Sequence, residues 1–154
     1  MKNNIIIKPI SPESAGSLSG LFFKRVNETP DKTAYHYFDD DSEQWKQYSW
    51  SNAYFEVSKW QTLYKSFNLK AQDHIAIMLK NCPEWVFAEQ AALSLGMVVV
   101  PLYTNDRPDN VAYILDDANI QLLILEDSNY LETLTSIDSE LRQLKAIISI
   151  KAIE

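Results

Sequence analysis

Residues 80–101, KNCPEWVFAEQAALSLGMVVVP, constrain the fold more than any other part of the chain. Asn81 or Cys82 stands where a helix cap is wanted, Pro83 follows in the first turn, and Glu84 puts a carboxylate at the positive helix end. The helix this predicts, about Pro83 to Leu95, is apolar nearly all round and so requires cover on more than one side. Gly96 ends it. MVVVPLY then reads as a strand of the kind covered on both faces. Two such apolar elements joined by one glycine belong in a layered α/β unit.

The rest of the chain agrees. Residues 1–16 hold Pro9, Pro12 and Gly16 among serines and asparagines and read as a loose lead-in; 17–154 read as one unit. Leu18, Leu21, Phe22, Arg25 and Val26 have helical spacing that stops at Thr29-Pro30. TAYHYFDDDSEQWKQYSW alternates bulky and polar residues about an acidic centre, Asp39 to Glu43, and predicts a β-hairpin. Ser49 caps a long helix carrying Trp50, Ala53, Tyr54, Val57, Trp60, Tyr64 and Phe67 at threes and fours, with Asn68 as its left-handed stop. HIAIML and QLLILE read as buried strands, and the stretch between Arg107 and Ala118 reads as a helix with Val111, Ile114, Leu115 and Ala118 on one stripe. Residues 129–144 predict a weak helix and KAIISIKAIE a last strand. Alternating strands and helices with short connections imply parallel strands with right-handed crossovers. The expectation is a three-layer α/β domain with a mainly parallel sheet of about four strands, preceded by an antiparallel hairpin.

Composition excludes several functions. With 21 acidic against 14 basic residues the net charge is −7, which opposes binding to a phosphate backbone, so nucleic acid is not expected as a partner. The apolar runs are far shorter than the roughly 20 residues of a membrane span, and MKNNIIIKPI lacks the features of a secretory leader. A cytoplasmic chain is expected. One cysteine and two histidines, His36 and His74, supply no metal-ligand spacing.

Open parallel sheets bind ligands beyond the carboxyl ends of their strands, which points to Lys80-Asn81, Tyr103 to Arg107 and Asp127 to Asn129. None of these loops has the glycines that let a backbone wrap a phosphate; the three glycines are at 16, 20 and 96. No catalytic, cofactor-binding or metal-binding residue is therefore assigned. Cys82 near a helix start could be a nucleophile, but a small core residue is the stronger reading. His36 and His74 lie in predicted strands without an acid–base partner. Asp39, Asp40, Asp41 and Glu43 lack the spacing of a calcium loop and read as a solvated turn. The stripe of Trp50, Tyr54, Trp60 and Tyr64 could line a lipid cavity, yet core packing accounts for it. Tyr103, Thr104 and Asn105 are the loop polars best placed for a ligand.

The blocks PDKTAYHY (30–37), YSW (48–50), Gln72-Asp73-His74-Ile75, Asn81 to Trp85, Gly96 to Tyr103, and Ala112 to Asp117 occur in one order. In that order the chain, from about Thr29 to Asp127, resembles the early part of the AMP-forming adenylating enzymes, most of all long-chain fatty acyl-CoA synthetases. That resemblance implies the N-terminal part of an enzyme that activates a fatty acid with ATP and Mg²⁺ to an acyl-adenylate and passes the acyl group to CoA, with a peripheral place at membranes open to the full-length enzyme. It also implies that the family's phosphate loop, nucleotide contacts, magnesium-binding glutamate and catalytic lysine lie further on, so the fragment alone is expected to be inactive and to hold no cofactor. The family has glycine where this chain has Asn68 and Gln72; asparagine tolerates a left-handed backbone, whereas Gln72 suggests a different turn. Uncovered apolar surface would favour self-association. Alternatives are a non-catalytic interaction module on the same scaffold, another adenylating subfamily, and a small ligand binder using the loop at Tyr103 to Asp106.

Overall fold

The computed structural model describes residues 8–126 and 143–151. The predicted helix at 129–144 therefore lies outside the described residues except for its last two positions. Within the lead-in, α1 (Pro12–Ala15) closes one helical turn, capped by Ser11. Ser17 caps α2 (Leu18–Glu28) by accepting from the Gly20 N–H at 3.0 Å. The hairpin follows as β1 (Thr33–Asp39) and β2 (Gln44–Ser49), paired antiparallel as a separate two-stranded sheet. Ser49 caps α3 (Trp50–Ser66) through the Asn52 N–H at 3.1 Å.

The main sheet is parallel. β3 (His74–Met78), β4 (Val98–Pro101), β5 (Ile120–Leu125) and β6 (Ala146–Ser149) stand in the order β4-β3-β5-β6. Helix α4 (Pro83–Ser94) joins β3 to β4 and α5 (Pro108–Asp117) joins β4 to β5. The fold class is as the sequence predicts, with four parallel strands among the described residues.

Alternating side chains of the sheet feed two cores. Ile75, Ile77, Leu79, Leu122 and Ile124 pack with Phe22, Val57, Tyr64, Phe87, Ala88 and Ala92 from α2, α3 and α4. Ala76, Met78, Leu123 and Leu125 pack with Val111 and Leu115 of α5. This makes three layers, with α2, α3 and α4 on one face and α5 on the other. Helix α4 is covered on two sides, by the sheet and by α2 and α3, which explains its all-round apolar sequence.

β4 differs from expectation. MVVVPLY predicts a strand covered on both faces; Val98 is 42% exposed, so that cover is incomplete, and among the described residues β4 stands at the edge of the sheet with β3 as its one neighbour. Val99 and Val100 still reach the two cores, so the β-branched run is used, though only half covered. Pro101 ends the edge without an N–H to offer another strand.

Each parallel strand from β3 to β5 is preceded by a left-handed residue: Gln72 at φ 73°, Gly96 at 74° and Asn119 at 48°. Gln72 corrects the expectation of an altered turn. Its backbone keeps the conformation glycine favours, and its N–H donates to the Gly96 carbonyl at 2.8 Å. The left-handed backbone costs a residue with a Cβ about 1–2 kcal/mol, of which a glycine would give back about 0.4–1 through unfolded-state entropy. Since Gln72 is exposed and no hydrogen bond holds its side chain among the described residues, Gln72→Gly is expected to stabilise the protein by about 0.5–1 kcal/mol. Urea unfolding measures it; an unchanged or lowered midpoint would show that the turn carries no such strain.

Candidate functional site

Because β3 leads to β4 on one side and β5 lies on the other, the sheet changes direction between β3 and β5. Ligand clefts of open α/β sheets form at the carboxyl ends of strands at such a point. A cleft of about 810 Å³ lies there. Its floor comes from the ends of β3 and β6, with Leu79 and Ile150, and from the start of α4, with Cys82, Pro83 and Val86. The hairpin forms the opposite wall with Tyr35, Tyr37, Phe38 and Trp45.

The hairpin is placed there by aromatic packing. Phe87 of α4 meets the rings of Tyr48 at 5.0 Å and Tyr35 at 6.3 Å, and Tyr37 stacks on Tyr48 at 5.3 Å. Burial, then the hydrogen bond with Tyr37, pushes the Tyr48 phenol up to about 12. At the tip, Phe38 and Trp45 meet edge to face at 5.8 Å, and Trp45 is 72% exposed.

The polar rim is of mixed charge. Glu126, just beyond β5, accepts from Lys151 Nζ at 2.7 Å and faces Lys80 Nζ at 3.7 Å. The Lys151 ammonium holds the Glu126 carboxyl below its ordinary range. Asp40 and Glu84 add two further acids, so the rim does not carry the excess of positive charge that a polyphosphate needs. Among the described residues no group of three histidine, cysteine or acidic side chains is arranged to hold a metal ion. The side chains present in the cleft do not fit a magnesium–nucleotide complex.

Of the rim loops read from sequence, Lys80-Asn81 lies in this cleft, where Glu126 at the end of the QLLILE strand joins it, whereas Tyr103 to Arg107 do not line it. That loop follows the edge strand and folds on itself: Asp106 accepts from the Arg107 N–H at 2.8 Å and from Asn110 Nδ2 at 2.7 Å, leaving Tyr103 81% exposed. Asp127 to Asn129 lie outside the described residues. Cys82, not Asn81, is the N-cap of α4 and makes no side-chain capping bond. Burial pushes its thiol up to about 11, the opposite of an activated nucleophile. His74 Nδ1 pairs with the Ala118 carbonyl at 2.6 Å, a structural tie between β3 and the end of α5. His36 is exposed on β1. In the acidic turn, Asp39 pairs with Lys46 at 2.5 Å and accepts from Ser42. The aromatic stripe of α3 is mostly core: Tyr64 is fully buried and its hydroxyl donates to the Ala88 carbonyl at 3.0 Å, while Trp50 packs on Phe22.

The hairpin wall and the β6 end were not legible as parts of a cleft. The alternation of TAYHYF gave two faces but not which of them α4 would take.

A family model described as AMP-binding enzyme matches residues 22–154. The long-chain-fatty-acid CoA ligase ACSBG1 of Homo sapiens is 25% identical over 145 residues, which is 94% of this chain and 20% of that protein. The long-chain-fatty-acid CoA ligase heimdall of Drosophila melanogaster is 31% identical over 85 residues, 55% of this chain and 12% of that one. Among solved structures, the anthranilate CoA ligase AuaEII in complex with anthranoyl-AMP superposes with a TM-score of 0.74 at 21% identity, covering 86% of this chain and 24% of that one. The N-terminal domain of FACL13 from Mycobacterium tuberculosis gives 0.74 at 16% identity, covering 85% of this chain and 32% of that one. The chain thus spans about a fifth of the length of the human relative it matches.

Proposed function

Because the chain belongs to the family of AMP-binding enzymes, we propose that it is the first part of the scaffold of a long-chain fatty acid CoA ligase. In the proposed reaction the fatty acid carboxylate attacks the α-phosphorus of ATP and releases pyrophosphate. The thiol of CoA then takes the acyl group and AMP leaves. ATP, Mg²⁺ and CoA are the cofactors this reading requires of the longer polypeptide. The observation that carries it is the family match over residues 22–154, joined to long-chain ligases as relatives across 94% of the chain.

The residues described here supply the wall and not the reaction. The cleft at the carboxyl ends of β3, β5 and β6 has a carboxylate already paired with lysine and a thiol kept protonated. The 154-residue chain by itself is therefore expected to form no acyl-CoA. Purified chain incubated with ATP, Mg²⁺, CoA and palmitate tests this: thioester formation by the chain alone would overturn the division of labour. A polypeptide that extends this chain to the length of its relatives is expected to prefer palmitate to anthranilate; the reverse preference would reject the long-chain assignment while leaving the family intact. The exposed side chains of Leu18, Trp45, Phe55 and Tyr113 support self-association of the short chain, and light scattering on the same sample would refute that by returning the monomer mass.

A further inference from the structure

Strand β6 is specified only in part by its own side chains. In KAIISIK, residues 145–151, Ala146, Ile148 and Ile150 pack into the first core and Ile147 into the second. A one-residue slip exchanges the faces and would turn Ser149 into the first core, which hydrophobic patterning resists. A two-residue slip keeps every side chain on its face. Moved one way it carries Lys145 to the half-buried site of Ile147 against the second core, at the cost of a partly desolvated charge. Moved the other way it puts Ile148 where Ala146 stands, Ile150 where Ile148 stands and Ser149 where Ile147 stands, so packing opposes it through the loss of one half-buried isoleucine from the second core.

What also changes in that second slip is the position of the two lysines. Lys145 Nζ meets Asp73 Oδ2 at 3.0 Å, at the amino end of β3. Lys151 Nζ meets Glu126 Oε1 at 2.7 Å, at the carboxyl end of β5. A two-residue slip moves each ammonium by about 6.6 Å and breaks both pairs together. Backbone bonds repeat the bracket, from Lys145 N–H to the Gln121 carbonyl at 2.7 Å and from Lys151 N–H to the Glu126 carbonyl at 3.0 Å.

We propose that the pairs Lys145–Asp73 and Lys151–Glu126 are a register lock on β6, with Asp73 and Glu126 as positioning residues that keep Ile150 and Lys151 at the cleft. The lock rests on the sheet alone and is independent of the ligase reading.

Cysteine pairs in the full 154-residue chain, with Cys82→Ser in the background, report the register. Leu123 and Ile147 are register partners, so Leu123→Cys with Ile147→Cys places the cysteines about 4.8 Å apart at Cα, within disulfide reach. Leu123→Cys with Ser149→Cys places them about 8 Å apart, out of reach until β6 slips by two. With the native charges, only the first pair is expected to oxidise. With Asp73→Asn and Glu126→Gln together, the second pair is expected to cross-link at least ten-fold faster, and the exchange Asp73→Lys with Lys145→Asp is expected to restore the native pattern. Added 1 M NaCl is expected to speed the second cross-link in the charged protein and not in the neutralised one. Unchanged cross-linking after neutralisation overturns the lock. Should the doubly neutralised chain not fold, Glu126→Gln alone and the salt series decide by the same criterion.

Discussion

Phe87→Ala will destabilise the protein by about 3–5 kcal/mol, the usual cost of emptying a buried aromatic site. Phe87 is 2% exposed and lies where three elements meet: α4 carries it, and both strands of the hairpin reach it through Tyr35 and Tyr48. The hairpin has only two strands, and a two-stranded sheet is marginal alone in water. Its attachment therefore draws on this aromatic contact together with that of Tyr35 and Trp50 at 5.9 Å. Besides a lowered urea midpoint, the variant should show a local change. The Tyr48 phenol, held at about 12 chiefly by burial and then by Tyr37, is expected to fall toward the ordinary value of 10 as the wall of the cleft loosens. Tyrosinate absorbance against pH reads this directly. A loss below 1 kcal/mol with an unmoved titration would mean that the hairpin is held by something other than Phe87.

How much of this was legible in the sequence depended on where the information lay. The parallel sheet was, because HIAIML, MVVVP and QLLILE are apolar runs bounded by helix caps and glycine or asparagine stops, and those signals are local. The edge position of β4 was not, since strand order is decided by which crossover passes which face and not by the strand's own residues. Gln72 shows a third case. The sequence placed a residue unlike glycine in a turn, and the fold held the turn's shape at the expense of backbone strain. The candidate cleft was partly legible: Lys80 and Asn81 follow from the rule about carboxyl ends, while Tyr37, Phe38 and Trp45 enter it through a tertiary contact some 40 residues away in sequence, between the hairpin and α4. The loop at Tyr103 to Arg107 was favoured by position and lies outside the cleft because the edge strand points it elsewhere.

Leu115→Ala will cost about 2–5 kcal/mol by the same cavity mechanism, but on the opposite face of the sheet. Leu115 is fully buried in the core that α5 shares with Ala76, Met78 and Leu123, and Phe87 belongs to the core shared by α2, α3 and α4. The sheet stands between them, so the two sites share no packing partner, and distant sites add within about 0.5 kcal/mol. The combined loss would approach the whole stability of a domain this size, about 5–15 kcal/mol, so the cycle is better closed with Phe87→Leu and Leu115→Val. Additive losses are expected in urea unfolding, with the Tyr48 titration moved only by the change at Phe87. Coupling above 1 kcal/mol would show that the two cores yield together and that three independent layers are the wrong description. With additivity, the cleft and its hairpin wall are tied to one face alone, and a change under α5 leaves their geometry in place.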